Sequence, residues 1–265
     1  MTVLLTTNRI EKVWGRMDLP APFTNNTCKP VGEIWFNPPA EMPELLVKYL
    51  FTSDKLSVQV HPDDAQAPHG ARGKEECWYI LDAEPGATLA IGLQRELTAG
   101  ELEAAALDGT IEQLLVHYPV STGDFFYLPA GTIHAIGAGI SLIEIQQNSD
   151  VTYRLYDYGR PRELHVADAV GVADRAPYNP ANFSRKSDRS KTNLVDGPRF
   201  RVDVVAGAPG KSLDQSYGHK PALLIPLRGT YRIDGLEVIP GQSAMGLLDA
   251  ITFDYAGETL ITQLL

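Results

Sequence analysis

The feature that most constrains this chain is the short interval at which proline and glycine interrupt its apolar runs. The 265 residues include 23 glycines and 19 prolines, and the apolar stretches between them, such as 45–51 and 222–225, are short. Short apolar runs that end at turn residues are typical of β-strands, whereas helices need longer uninterrupted segments. We therefore expect an all-β fold with a few short helices.

The helical signals are confined to a few places. Thr98-Ala99-Gly100-Glu101 fits a capping box, and residues 102–107 continue it as a short helix. A second short helix is expected over 110–115. Both lie near 98–117, between two predicted strands, and we expect them to form an insertion that caps the sheet.

The composition argues against several classes of protein. The formal net charge of −10 argues against nucleic acid or an anionic membrane as the main partner. The N-terminus lacks the apolar core of a signal peptide, and no run approaches the length of a membrane span. The two cysteines, Cys28 and Cys77, lie in no CxxC motif, which favours a reducing compartment. We expect a cytoplasmic protein.

Candidate site residues converge from three predicted strands. In the stretch 56–62, apolar and polar residues alternate, so Gln59 and His61 point to the same face of a strand. A second strand begins near Glu76, and a strand, turn and strand lead to His134. Together these segments offer four convergent ligands. The alternative for these residues is a satisfied polar network inside the fold.

The segment that ends at His134 carries a spaced pattern, Gly123-x5-Pro129-x-Gly131-x2-His134. This pattern resembles the second motif of the cupin superfamily, whose members are small β-barrels that hold one metal. The chain departs from that superfamily in three ways: Ala138 stands where an asparagine is usual, Gln59-Val60-His61 replaces His-x-His, and Glu76 comes later than the usual spacing.

With these departures, the chain resembles one branch of the superfamily, the type I phosphomannose isomerases in their compact prokaryotic form. The resemblance covers residues 10–165 and rests on an ordered set of motifs: Trp14-Gly15, Gly32-Glu33-Ile34-Trp35, Gln59-Val60-His61-Pro62, Lys74-Glu75-Glu76, Pro129 to His134, and Ser149-Asp150 followed by Arg154. The chain is short for the family, so we expect no counterpart of the large helical domain of longer members.

The resemblance implies two cupin-like β-barrel (jelly-roll) modules. Residues 1–173 would form the metal-binding catalytic module, including the helical insertion near 98–117. Residues 174–198 are polar and rich in Pro, Asn, Ser, Lys and Arg, so we expect a linker or long loop there. Residues 199–265 would form a second, metal-free β module, in which His219 is the only histidine.

The resemblance also implies roles for single residues. Gln59, His61, Glu76 and His134 would hold one divalent metal ion, with zinc as the expected ion, because two imidazoles and oxygen ligands suit it. Arg154 and Glu144 would be catalytic, and Lys74 would bind substrate. The implied reaction is the interconversion of mannose 6-phosphate and fructose 6-phosphate through an enediolate, with a sugar phosphate as the small-molecule partner.

Two other functions stay open for a chain of this kind. One is another metal cupin enzyme, such as an oxygenase, which would favour iron and a three-histidine site. The other is a sugar-binding or regulatory protein that has kept the fold without the chemistry.

Each single role also has a structural alternative: Arg154 as a surface arginine, Glu144 as its paired carboxylate, and Lys74 as a solvated lysine. The sequence leaves the oligomeric state open.

Overall fold

The structure is a computed structural model, and it describes residues 2–188, 192–208, 211–218, 220–254 and 256–265. Twelve strands precede residue 160: β1 (Val3–Leu4), β2 (Thr7–Arg16), β3 (Val31–Phe36), β4 (Leu45–Phe51), β5 (Val58–Val60), β6 (Glu76–Ala83), β7 (Thr88–Leu93), β8 (Leu115–Pro119), β9 (Phe125–Leu128), β10 (His134–Ile136), β11 (Ile140–Gln147) and β12 (Tyr153–Tyr156). Nine more follow: β13 (Phe183–Ser184), β14 (Asn193–Asp196), β15 (Phe200–Ala206), β16 (Ala222–Arg228), β17 (Tyr231–Ile233), β18 (Leu236–Val238), β19 (Ala244–Gly246), β20 (Ile251–Phe253) and β21 (Glu258–Leu264).

Within the described residues, four α-helices accompany the strands: α1 (Ala99–Asp108), α2 (Ile111–Leu114), α3 (Val166–Val172) and α4 (Lys211–Tyr217). The expected all-β fold with a few short helices is confirmed. Among the described residues, no helix is long and apolar enough to cross a membrane.

The strands of the described residues form four sheets. A five-stranded sheet has the order β12-β5-β10-β7-β8, and a seven-stranded sheet has the order β13-β9-β6-β11-β4-β3-β2. A six-stranded sheet follows the order β1-β19-β16-β21-β15-β14, and a three-stranded sheet the order β18-β17-β20. The seven-stranded sheet is the central layer, because it packs against the five-stranded sheet on one face and the six-stranded sheet on the other.

Successive side chains of a strand point to opposite faces of the sheet, so each strand contributes side chains to two layers. On β4, Val47, Tyr49 and Phe51 pack towards the six-stranded sheet, so Lys48 and Leu50 project from the opposite face. On β5, Val58 and Val60 pack against the helices that cover the five-stranded sheet, and Gln59 therefore projects inwards. The alternation along β4 and β5 therefore directs Lys48 and Gln59 into the space between the five- and seven-stranded sheets.

Helices α1 and α2 lie within residues 98–117, where the sequence predicted two short helices. The Thr98 hydroxyl accepts a hydrogen bond from the Glu101 backbone N–H at 3.2 Å, and the Glu101 carboxylate accepts one from the Thr98 N–H at 2.8 Å. Gly109 ends α1 with a φ of 82°, a left-handed conformation that glycine adopts without strain. Helix α1 packs with α3 over the outer face of the five-stranded sheet.

Two features cross the expected boundaries between modules. Strand β1, at the start of the chain, pairs with β19 in the six-stranded sheet. The predicted linker 174–198 contributes β13 to the seven-stranded sheet and β14 to the six-stranded sheet, although residues 189–191 lie outside the described residues. The division into two modules stays a prediction. His219 also lies outside the described residues.

Candidate metal centre and substrate cavity

Two histidines and one glutamate meet between the five- and seven-stranded sheets. His61 follows β5, Glu76 opens β6 and His134 opens β10, and all three side chains are buried. One ligand atom from each of these residues lies within 4.8 Å of the others. The antiparallel pairing of β5 with β10 sets His134 directly opposite Gln59, so side chains far apart in sequence meet on one face.

The two imidazoles are held in the state that binds a metal. His61 Nδ1 donates to the Val151 carbonyl at 2.8 Å, and His134 Nδ1 donates to the Thr132 carbonyl at 2.9 Å. Because a carbonyl only accepts, the proton resides on Nδ1 and each Nε2 carries a lone pair. Burial lowers the pKa of His134 to about 4 and that of His61 well below its usual value, so both rings are neutral.

Both lone pairs face the carboxylate of Glu76. His61 Nε2 lies 3.6 Å from Glu76 Oε2, and His134 Nε2 lies 3.3 Å from Glu76 Oε1. Neither Glu76 oxygen has a hydrogen-bond partner of good geometry among the described residues, and burial raises the pKa of Glu76 to about 7. Two lone pairs and a buried carboxylate repel one another unless a cation lies among them, and the Lys74 ammonium, 3.3 Å from His61 Nε2 and Glu76 Oε2, leaves Glu76 Oε1 without one. The donor set therefore fits a divalent metal ion.

Gln59 and Lys74 flank this cluster. The Gln59 amide nitrogen lies 3.2 Å from His134 Nε2, and the Gln59 oxygen accepts from the Ser57 hydroxyl at 3.2 Å. The predicted oxygen ligand is thus adjacent to the cluster, and a half-turn of the amide would present its oxygen. The Lys74 ammonium lies 3.3 Å from both His61 Nε2 and Glu76 Oε2.

A cavity of about 280 Å³ opens beside the cluster. Five cationic residues and three carboxylates line it: Lys12, Lys48, Lys74, Arg154 and Arg162 against Glu33, Glu144 and Asp150. The lining carries an excess of two positive charges, although the whole chain has a net charge of −10. A cavity of this kind attracts an anionic ligand.

Glu144 faces this cavity as part of a buried ion pair. Its Oε1 lies 2.9 Å from Lys48 Nζ, and its Oε2 accepts from Trp78 Nε1 at 3.3 Å. Burial alone would raise the pKa of Glu144, but the charges of Lys48 and Lys74 outweigh burial and bring it to about 2. The carboxylate is therefore ionised across the physiological range.

Arg154 has a different environment. Among the described residues its guanidinium has no carboxylate within 4.0 Å, and its buried Nε has no hydrogen-bond partner. Burial and the neighbouring Arg162 lower the pKa of Arg154. By contrast, Arg162 donates to both oxygens of Asp157, at 2.6 and 2.7 Å. Arg154 thus lines the cavity as a cation that is free to bind an anion.

The structure brings the predicted site residues together. His61, Glu76 and His134 form the cluster, Gln59 and Lys74 adjoin it, and Glu144 and Arg154 line the cavity. The sequence analysis missed the other charged lining residues, Lys12, Glu33, Lys48, Asp150 and Arg162. Lys48 could have been identified from the sequence, because it is the one charged residue inside an apolar run. A buried charge needs a partner.

Comparisons with known proteins agree with this geometry. A mannose-6-phosphate isomerase from Streptococcus mutans is 41% identical over 181 residues, which are 64% of this chain and 57% of that protein. A mannose-6-phosphate isomerase from Bacillus subtilis is 41% identical over 194 residues, covering 68% of this chain and 60% of that protein. This chain is a homologue of the type I phosphomannose isomerases. The resemblance inferred from the motifs is confirmed, and the matched segments span less than two thirds of each relative.

The fold comparison extends further along the chain. The crystal structure of the mannose 6-phosphate isomerase from Bacillus subtilis superposes with a TM-score of 0.77 at 26% identity, covering 99% of both chains. The chain therefore has the fold of the phosphomannose isomerases. No protein-family model matches the chain.

Proposed function

We propose that this protein is a metal-dependent aldose–ketose isomerase that interconverts mannose 6-phosphate and fructose 6-phosphate. One observation carries the proposal: a cluster of two neutral histidines and a buried carboxylate lies beside a cavity with excess positive charge. The two relatives from Streptococcus mutans and Bacillus subtilis are named mannose-6-phosphate isomerases, which is the same activity.

The residues of the cavity suit the chemistry of this reaction. Isomerisation moves a proton between C1 and C2 of the open-chain sugar, and negative charge develops on the oxygens in an enediolate. A divalent ion held by His61, Glu76 and His134, with Gln59 as a further ligand, would polarise the sugar carbonyl. Arg154 donates to a developing oxyanion, since its guanidinium is permanently charged and unpaired.

Glu144 and Lys74 complete the proposed active site. Glu144 faces the substrate as a fixed carboxylate, and Lys74 lies between the cluster and the cavity, where its ammonium can bind a substrate oxygen. We propose zinc as the ion, because imidazole and carboxylate ligands suit it. Two histidines and one carboxylate also form the iron site of many oxygenases, so metal analysis of the purified protein tests this choice.

Two further expectations belong to the same proposal. The two-module division, with catalysis in residues 1–173 and a metal-free module in 199–265, fits the location of the cluster. A cytoplasmic location fits the two free cysteines, exposed Cys28 and buried Cys77.

The decisive experiment is a coupled isomerase assay on purified protein, with metal content measured in the same samples. We expect turnover of mannose 6-phosphate, its loss after dialysis against a chelator, and its recovery on addition of zinc. Full activity in metal-free protein would contradict metal dependence. Metal-loaded protein that binds mannose 6-phosphate without converting it would instead support the sugar-binding alternative.

A further inference from the structure

Lys48 is a charge inside an otherwise apolar strand. Every residue of β4 is buried, and Lys48 itself is 5% exposed. Burying an ammonium is costly unless the surrounding groups pair with it and accept its hydrogen bonds. A lysine at this position therefore needs an explanation in the contacts that it makes.

Those contacts hold the ammonium at one point. Lys48 Nζ donates to Glu144 Oε1 at 2.9 Å and to Gln146 Oε1 at 2.5 Å, and it lies 4.7 Å from the centre of the Trp35 ring. The pairing of β4 with β11 sets Lys48 directly opposite Glu144. Because each partner sits on a paired strand, backbone hydrogen bonds fix the geometry of the ion pair.

Glu144 keeps free acceptor capacity towards the cavity. One oxygen accepts from Lys48 and the other from Trp78. An ionised carboxylate offers about four acceptor positions, so about two remain. Both Glu144 and Lys48 line the cavity, and the hydroxyl groups of a sugar chain are donors that can reach such positions.

We infer that Lys48 is a positioning residue, which holds the Glu144 carboxylate as an acceptor for the hydroxyl groups of the sugar phosphate. This inference deepens the proposed function and rests on it. Lys48 acts through Glu144, so its effect on substrate requires that carboxylate to be present.

A double-mutant cycle tests this dependence. Glu144→Gln and Lys48→Met should each lower kcat/KM for mannose 6-phosphate by about a hundredfold, because displacing a reacting group by about 1 Å can cost that much. The double variant should lie within about threefold of Glu144→Gln, whereas independent roles would multiply to about ten-thousand-fold. A double variant far below Glu144→Gln would overturn the inference.

The choice of variants separates positioning from folding. Lys48→Met alone leaves a buried carboxylate without its cation, but the double variant removes both charges and leaves no unpaired ion. The comparison of the double variant with Glu144→Gln therefore stands even when the single lysine variant is unstable. Lys29→Met is the matched control, since Lys29 forms a surface ion pair with Glu11 at 2.8 Å, and it should behave as the wild type.

Binding without turnover supplies an independent measurement. Titration calorimetry of metal-loaded protein would use a hexitol 6-phosphate, which has the hydroxyl chain but no carbonyl, and inorganic phosphate, which has neither. Glu144→Gln and the double variant should bind the hexitol phosphate about tenfold or more weakly and inorganic phosphate with unchanged affinity. Unchanged binding of the hexitol phosphate would overturn the inference. Wild-type protein that binds it but isomerises nothing would refute the proposed function alone.

Discussion

Two of the interiors of this molecule differ in what they bury. Between the five- and seven-stranded sheets lie the cluster of His61, Glu76 and His134 and the ion pair of Lys48 with Glu144. Between the six- and three-stranded sheets, the interior is filled by apolar and aromatic side chains: Val205, Leu213, Tyr217, Ala222, Leu224, Tyr231, Ile233, Val238, Ala244, Leu248, Phe253 and Ile261. Both interiors are built from antiparallel strands with alternating side chains.

The contrast shows which interior is built for stability and which for binding. Apolar side chains between sheets stabilise a fold at low cost, whereas buried charges lose their hydration. Among the described residues, the second interior carries no cluster of candidate metal ligands. Asp203, a buried carboxylate at its edge, accepts from the Tyr217 hydroxyl at 2.9 Å. In the first interior, Arg154 Nε and Glu76 Oε1 have no hydrogen-bond partner among the described residues, which suits a site that binds an anion beside a cation.

The largest expected effect comes from removing a metal ligand. His61→Ala and His134→Ala should each weaken metal binding by on the order of a hundredfold or more, since even outer partners of a ligand are worth about 10- to 100-fold. Metal analysis after gel filtration measures this loss. His69→Ala, at an exposed loop histidine, is the control. If both ligand variants keep one ion per chain, the metal binds elsewhere.

Arg154 should affect turnover and leave metal content intact. Loss of one preorganised donor to a developing oxyanion typically costs about a hundred- to a thousand-fold in kcat, so Arg154→Ala should show that loss with a smaller change in KM. Arg154→Lys should recover little, because an ammonium does not reproduce the planar guanidinium.

Arg232→Ala in the second region is the matched control for Arg154. Arg232 is an exposed arginine that pairs with Glu237 at 2.9 Å, so its loss should leave kcat unchanged. Near-normal kcat in Arg154→Ala would remove that residue from the mechanism. Loss of metal in the same variant would mean that Arg154 has a structural role.

The sequence predicted the metal-binding residues of the first interior. Strand alternation at Gln59 and His61, with the predicted strands that begin near Glu76 and lead to His134, indicated the convergence of these side chains. Local chemistry likewise predicted helix α1 through its capping box. The helix prediction depends on residues near one another in the chain, whereas the convergence of His61 with His134 joined three separate segments.

What the sequence could not predict depends on strand register. The Lys48–Glu144 pair joins residues 96 positions apart, and only the pairing of β4 with β11 brings them together. A slip of one residue would send Lys48 to the opposite face, so no local pattern identifies its partner. Helix α4 was also missed, since its short polar sequence carries no apolar periodicity.

The second interior should respond to mutation through stability alone. Leu224→Ala removes a fully buried side chain from β16, and such truncations cost about 2–5 kcal/mol of the free energy of unfolding. Denaturant unfolding measures this loss, with Leu107→Ala, at a 68% exposed leucine, as the control. Metal content and kcat should stay normal at a temperature where the variant is folded. A Leu224→Ala protein that is folded but has lost its metal would show that the two interiors are coupled.

The smallest expected effect belongs to Gln59, which tests how much of the first interior is needed to hold the ion. A neutral amide oxygen is the weakest of the four predicted ligands, and in this structure the amide directs its nitrogen towards His134. Water can replace a neutral oxygen ligand, so Gln59→Ala should weaken metal binding by about tenfold, the low end of the cost of losing a partner at a metal site. Gln59→Glu should tighten binding instead, because it adds a second anionic ligand. Competition with a chromogenic chelator measures both affinities. If Gln59→Ala loses metal as completely as His61→Ala, the amide is an obligatory ligand and the half-turn of its side chain precedes binding.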